Sequence, residues 1–284
     1  MADKKEACKS CSSNTEGGCS ASSCETPEKS LFGSLNDIKN VVAIMSGKGG
    51  VGKSTVTCLL AVNLARMGYR VGVLDADITG PSIPKAFGIE GGRLKATDFG
   101  ILPPQTDRGI KIMSVNLFLP GEDEPVIWRG PMLGGLIHQF WGESDWREID
   151  YLLVDLPPGT GDVPLTVMQS LPVSGIVIVS SPQELVQMVV KKAIKMAQKM
   201  NVEILGLVEN MSYAVCPHCS QTLNLFGESK ADKIAAQTGL KVLAQMPLEP
   251  AINQLMDQGK VEEAQSDAAK QLSEAVIAAL PVAR

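Results

Sequence analysis

Hydrophobic and polar positions along this chain follow two regimes that meet near residue 36. Before that point Cys, Ser, Gly, Lys and Glu dominate and no period of 2 or 3.6 is visible. Residues 1–36 therefore read as a Cys-rich flexible tail, unless a metal ties its cysteines together. From 37 to 284 the pattern repeats: short β-branched runs, "VVAIMS", "VGVLD", "YLLVD", "GIVIVSS", "ILGLVEN" and "VLAQMP", alternate with longer amphipathic stretches. Three of those stretches, Lys53 to Met67, Glu184 to Met200 and Ala264 to Leu280, carry helical spacing. Strands that are apolar on both faces and flanked by helices predict a doubly wound, mostly parallel α/β sheet as one domain over 37–284. Ligands of such sheets bind beyond the carboxyl ends of the strands, so chemistry is sought there.

Composition narrows the function classes. The chain has 284 residues, 44% of them hydrophobic, which is enough for a substantial core. Its formal net charge of -5 gives no electrostatic excess for nucleic acid or anionic lipid. No window reaches the 18 or so apolar residues of a membrane span, and "MADKKEACKS" has no apolar run of signal-peptide length. The expectation is a cytoplasmic protein with neither a nucleic-acid nor a membrane partner. In a reducing compartment the seven cysteines suit metal or redox chemistry better than disulfides.

The stretch Ser46 to Thr55, "SGKGGVGKST", follows the first apolar run. Gly47, Gly49 and Gly52 fit the dinucleotide pattern G-x-G-x-x-G, with Asp75 ending the next strand roughly 20 residues on. The same residues also fit G-x-x-x-x-G-K-[ST] from Gly47 to Ser54, which fixes more chemistry. Backbone amides of Gly47, Lys48, Gly49, Gly50, Val51 and Gly52 would cradle phosphates, with Lys53 on the β- and γ-phosphates and Ser54 on Mg²⁺. Thr55, at the helix N-terminus, is placed for the α-phosphate. Asp155 closes the apolar strand of "YLLVDLPPGTGD" and can hold the Mg²⁺ shell, a role that hydride transfer does not need. A nucleoside triphosphate thus explains more residues than a dinucleotide. Lys48, a second lysine in the loop, has no role in that pattern.

"SGKGGVGKST", "VLDADITGPSIPKAFG", "VIWRGPM", "YLLVDLPPGTGD", "VENMSY" and "CPHC", in that order, resemble the Mrp/ApbC family of iron-sulfur cluster carrier ATPases. That family belongs to the MinD/ParA-like P-loop class with a deviant Walker A loop. The resemblance implies that Lys48 reaches across a two-fold interface to the nucleotide of the other subunit, as an arginine finger does. It also implies that Asp75 lies near the metal and Asp77 orients the attacking water. On the residues alone, one of these two aspartates can instead cap the next helix. Asp155 and Gly159 to Asp162 match the second switch, and Asn210 matches the residue that hydrogen-bonds adenine, favouring ATP.

Cys216-Pro217-His218-Cys219 supplies two thiolates, whereas zinc and [4Fe-4S] centres normally take four ligands. An isologous dimer supplies two plus two. The resemblance implies such a homodimer, with a [4Fe-4S] cluster bridged between subunits, received from a donor and passed to apo-proteins in step with slow ATP hydrolysis. A shared structural zinc and a dithiol redox pair use the same thiolates. In the tail Cys8, Cys11, Cys19 and Cys24 follow C-x2-C-x7-C-x4-C, enough for a second iron-sulfur centre or a zinc, or they stay unligated. Cys58 reads as a small buried hydrophobe and His138 as a structural histidine. Two other classes share the loop: a MinD/ParA-type positioning switch carrying a structural zinc, and an ATP-gated electron donor of the nitrogenase iron protein type.

Overall fold

The computed structural model describes residues 36–77, 80, 82–89, 94–98, 100–118, 130–183 and 186–280. The four tail cysteines and Trp128 and Arg129 of "VIWRGPM" lie outside them. In chain order the strands are β1 (Asp37–Ser46), β2 (Val71–Asp75), β3 (Lys95–Thr97), β4 (Gly100–Leu102), β5 (Lys111–Ser114), β6 (Glu148–Asp155), β7 (Gly175–Ser180), β8 (Ile204–Glu209), β9 (Ala214–Val215), β10 (Thr222–Leu223) and β11 (Val242–Gln245). The helices are α1 (Lys53–Arg66), α2 (Ile83–Ala86), α3 (Gly130–Gly142), α4 (Asp162–Ser170), α5 (Val186–Lys199), α6 (Ala231–Thr238), α7 (Pro250–Asp257) and α8 (Asp267–Ala279).

Seven strands form one sheet in the order β11-β8-β7-β1-β6-β2-β5, and every pairing in it is parallel. Alternation along each strand explains why the apolar runs are continuous. In β1, Val42 and Ile44 join a core with α1 and α8, while Val41, Ala43 and Met45 join a second core on the opposite face. β6 and β7 divide the same way, Leu153 and Val177 to the first core, Leu152 and Ile178 to the second. Both faces are covered, so the buried middles of the strands are apolar, while the amino ends keep polar residues such as Lys39, Asn40 and Asp150.

Buried polar groups gather at the carboxyl ends. Ser46, Asp75, Asp155, Ser180 and Glu209 close their strands and are all buried. β1 has β6 and β7 as neighbours, and the chain leaves it toward β2 on one side and returns to β7, β8 and β11 on the other. That crossover point puts a crevice above β1. Two hairpins, β3–β4 and β9–β10, stand apart from the main sheet.

Candidate functional site

The loop after β1 is built by its glycines. Gly50 and Gly52 have φ of +79° and +75°, in the left-handed region that favours glycine. Gly52 is constrained twice, because a Cβ there would lie 2.2 Å from Nδ2 of Asn210. α1 then starts at Lys53, turning its N-terminal amides toward the loop. Above the loop lies a cavity of about 520 Å³, walled by Lys48 to Thr55, Asp77 and Pro158, with Asn253 and Asp257 of α7 on its flank.

Beneath the loop the register of β2 and β6 sets Asp75 directly opposite Asp155. Asp155 is fully buried and accepts from Lys53 Nζ, Ser54 Oγ and Thr57 Oγ1, each at 2.7 Å. Lys53 Nζ also lies 3.8 Å from Asp77 Oδ2. One buried carboxylate therefore gathers the ammonium of Lys53 and the hydroxyls of Ser54 and Thr57. Asp75 accepts from the amide of Asp77 at 3.1 Å and from Ser114 Oγ at 3.2 Å. Burial, and then the neighbouring Asp155, push the Asp75 carboxyl well above the usual carboxylate range. Neither aspartate caps α2, whose preceding residue is Ser82. Asp75 instead fixes the turn that delivers Asp77 to the cavity. Thr57 and Ser114 were not legible as site residues, since a hydroxyl in a helix or strand signals nothing until the sheet register is known.

Lys48 is exposed at the cavity rim, and its Nζ donates to Oε1 of Gln183 beyond β7 at 2.6 Å. The loop after β6 is tied to the first by the amide of Gly159, which donates to the carbonyl of Ser46 at 2.8 Å. Asp162 opens α4. Asn210 follows β8 and is buried, with Nδ2 donating to the carbonyls of Val51 at 2.9 Å and Gly52 at 3.5 Å. It faces a smaller recess shared with Thr55, Met246 and Asn253.

Cys216 and Cys219 sit in the turn joining β9 to β10. The turn is closed by Ser220 N donating to Cys216 O and Cys216 N donating to Gln221 O, both at 2.9 Å. Amide N–H groups of His218 and Cys219, then the Cys219 thiol, point at the Cys216 sulfur and hold its pKa below the usual thiol value. Cys219 is exposed, as are the flanking Val215 (53%), Leu223 (43%) and Leu225 (60%). Two sulfurs thus share one turn beside exposed apolar side chains. No group of three or more metal-ligating side chains forms among the described residues. Cys58 is buried in α1, its thiol pushed up by burial and by Asp155 and Asp75. His138 is exposed on α3, so the reading of it as a structural histidine is not supported.

A parallel strand running through a glycine loop into a lysine-led helix, with an acidic strand end beneath it, defines a P-loop NTPase. This chain belongs to the ParA family, whose model, described as NUBPL iron-transfer P-loop NTPase, matches residues 37–280. An iron-sulfur cluster carrier protein of Clostridium perfringens is 47% identical over 266 residues, 91% of each chain. Another, from Methanocaldococcus jannaschii, is 48% identical over 226 residues, 79% of this chain and 78% of that one. Among solved structures, a nucleotide-binding protein from Archaeoglobus fulgidus in complex with ADP has a TM-score of 0.74 and 48% identity, covering 81% of this chain and 90% of that one. The Mg-ADP complex of the septum site-determining protein MinD from Pyrococcus horikoshii shares the fold, with a TM-score of 0.61 at 21% identity over 84% of this chain and 95% of that one.

Proposed function

We propose that this chain is an ATP-hydrolysing carrier that holds an iron-sulfur cluster, of the [4Fe-4S] type, between two copies of itself and passes it to apo-proteins. The observation that carries this reading is the Cys216–Cys219 pair in the β9–β10 turn, Cys219 exposed and Cys216 half-buried, beside the exposed Val215, Leu223 and Leu225. Two thiolates complete half of a four-sulfur site, and a two-fold axis beside them supplies the other half. Exposed apolar side chains around the pair give the second copy a surface to bury. A cargo held at a separable interface can be handed on, which suits a carrier. The relatives named as iron-sulfur cluster carriers support the same reading.

The nucleotide roles follow from the site. Lys53 leaves Asp155 to meet the β- and γ-phosphates, and Thr55 and the loop amides hold the rest of the chain of phosphates. Ser54 and Asp155 would hold Mg²⁺, which supplies charge neutralisation on the phosphates. Asp77 lies in the cavity wall, where it orients the attacking water. Lys48 acts across the interface on the nucleotide of the other copy, and Asn210 meets the base. A cytoplasmic location fits a carrier that meets a donor and apo-clients. Among the described residues, no helix is long and apolar enough to cross a membrane.

Transfer tests the proposal. Protein reconstituted anaerobically with iron and sulfide should activate an apo-protein that needs a [4Fe-4S] cluster, faster than free iron and sulfide do. Cys216→Ser and Cys219→Ser should lose both uptake and transfer while still binding ADP. A colourless zinc protein that transfers nothing would contradict it.

A further inference from the structure

The nucleotide loop and the cysteine hairpin are joined by one short segment. β8 ends at Glu209, whose carboxylate is fully buried. Its Oε2 accepts from Ser212 Oγ at 2.7 Å, and its Oε1 accepts from the backbone amide of Lys230 at 2.9 Å. Ser212 begins and Lys230 ends the excursion that carries Cys216 and Cys219. Both ends of that excursion are therefore stapled to a single side chain. A buried carboxylate is expensive unless such bonds satisfy it, so the staple is a demanding one to maintain.

The next residue, Asn210, has its side-chain amide on the carbonyls of Val51 and Gly52 in the phosphate loop. Its own amide donates to Ser180 O at 2.8 Å. Beyond it, Ser212 N donates to Met246 O at 2.9 Å and Leu248 N donates to Tyr213 O at 2.6 Å, laying the hairpin's base along the segment that leads into α7. One peptide bond thus separates the group resting on the phosphate loop from the group that fixes the hairpin.

We infer that Glu209 is a positioning residue that makes the Cys216–Cys219 pair move with the nucleotide site. The inference rests on the proposed reading of that pair as the cargo ligands and of Asn210 as the base contact. Asn210 has two arrangements. Its amide hydrogens rest on the two loop carbonyls, or a bound base takes one of them. With both hairpin ends fastened to Glu209, a shift at Asn210 carries the hairpin as a body. With an end released, the shift is absorbed in the excursion.

The test uses the full chain free of iron and zinc. Iodoacetamide alkylation of the peptide bearing Cys216 and Cys219 is followed by mass spectrometry with and without saturating Mg·ADP. In the wild type the two rates should differ at least about fivefold, the lower range of coupling between two sites. Glu209→Met keeps the side chain's length but accepts from neither Ser212 Oγ nor the Lys230 amide. It should leave ADP affinity unchanged and bring the ratio of rates to about one. If Glu209→Met does not fold, Ser212→Ala removes one staple alone and should lower the ratio. A loosened hairpin with no part in coupling would raise both rates equally and keep the ratio, overturning the inference. A wild-type ratio of one, or loss of ADP affinity together with the ratio, overturns it as well. Because no iron is present, a failure to bind iron would sink the carrier reading without touching this ratio.

Discussion

Lys53 Nζ donates to Asp155 at 2.7 Å, across 102 residues of sequence. The parallel neighbours β1 and β6 end side by side, so the helix that follows one strand starts over the carboxylate that ends the other. The same carboxylate takes the hydroxyls of Ser54 and Thr57. One buried carboxylate thereby holds the loop lysine and two hydroxyls of the first turns of α1 at a single point.

Asp155→Ala removes that point. Hydrolysis should fall on the order of 10³-fold, the several kcal/mol a correctly held cation contributes. Activity at rising Mg²⁺ is the measurement: the Mg²⁺ concentration needed for half-maximal rate should rise, and an unchanged Mg²⁺ requirement or a wild-type rate at low Mg²⁺ would count against the assignment.

Lys48 is exposed and rests on Gln183 rather than on its own strand ends. Lys48→Ala should slow ATP turnover by about 10³-fold or more, as loss of an inserted cation does elsewhere, while ADP binding stays close to wild type. Mixing Lys48→Ala with a variant lacking the loop lysine, Lys53→Ala, should restore part of the activity if Lys48 works between copies. No complementation would place its action within one chain.

Gly52→Ala should damage both stability and binding. A left-handed backbone alone costs an alanine about 1–2 kcal/mol, and its Cβ would meet Asn210 Nδ2 at 2.2 Å. Thermal melting and ADP titration should both shift, and a variant that melts and binds like wild type would contradict the geometry.

At the other end of the sheet Asp150 accepts from the Arg70 side chain and backbone amide and from Lys39 Nζ. The Arg70 guanidinium first, with Lys39 adding, holds its carboxyl well below the usual carboxylate range against the opposing effect of burial. A depressed folded-state pKa stabilises above the unfolded value, about 3.9, and that stabilisation is lost as pH falls through the folded value. Asp150→Asn should therefore be less stable than wild type at pH 7, and the gap should narrow below about pH 3. Urea midpoints at both pH values check it, and a gap independent of pH would contradict it.

The phosphate loop was legible because each position answers a local demand: positive φ at Gly50 and Gly52, a helix start at Lys53. The buried sheet was legible because Val41 to Met45 must feed two cores at once. Thr57, Ser114, Gln183 and Glu209 were not, because their partners are brought near only by strand register and loop return. The β3–β4 and β9–β10 hairpins were missed as strands, since runs of two or three residues leave no apolar period to read. The contribution of α7 to the cavity wall likewise depends on where that helix lands and not on its own residues.

The most direct measurement is the mass and metal content of anaerobically reconstituted protein in solution. A particle of two chains holding about four irons and four sulfides, the content of one [4Fe-4S] centre, is the expected result. It should fall to a metal-free particle in Cys216→Ser with the tail cysteines intact. A single chain that holds its full metal complement, or a Cys216→Ser variant that keeps all of its iron, would contradict cargo shared between two copies.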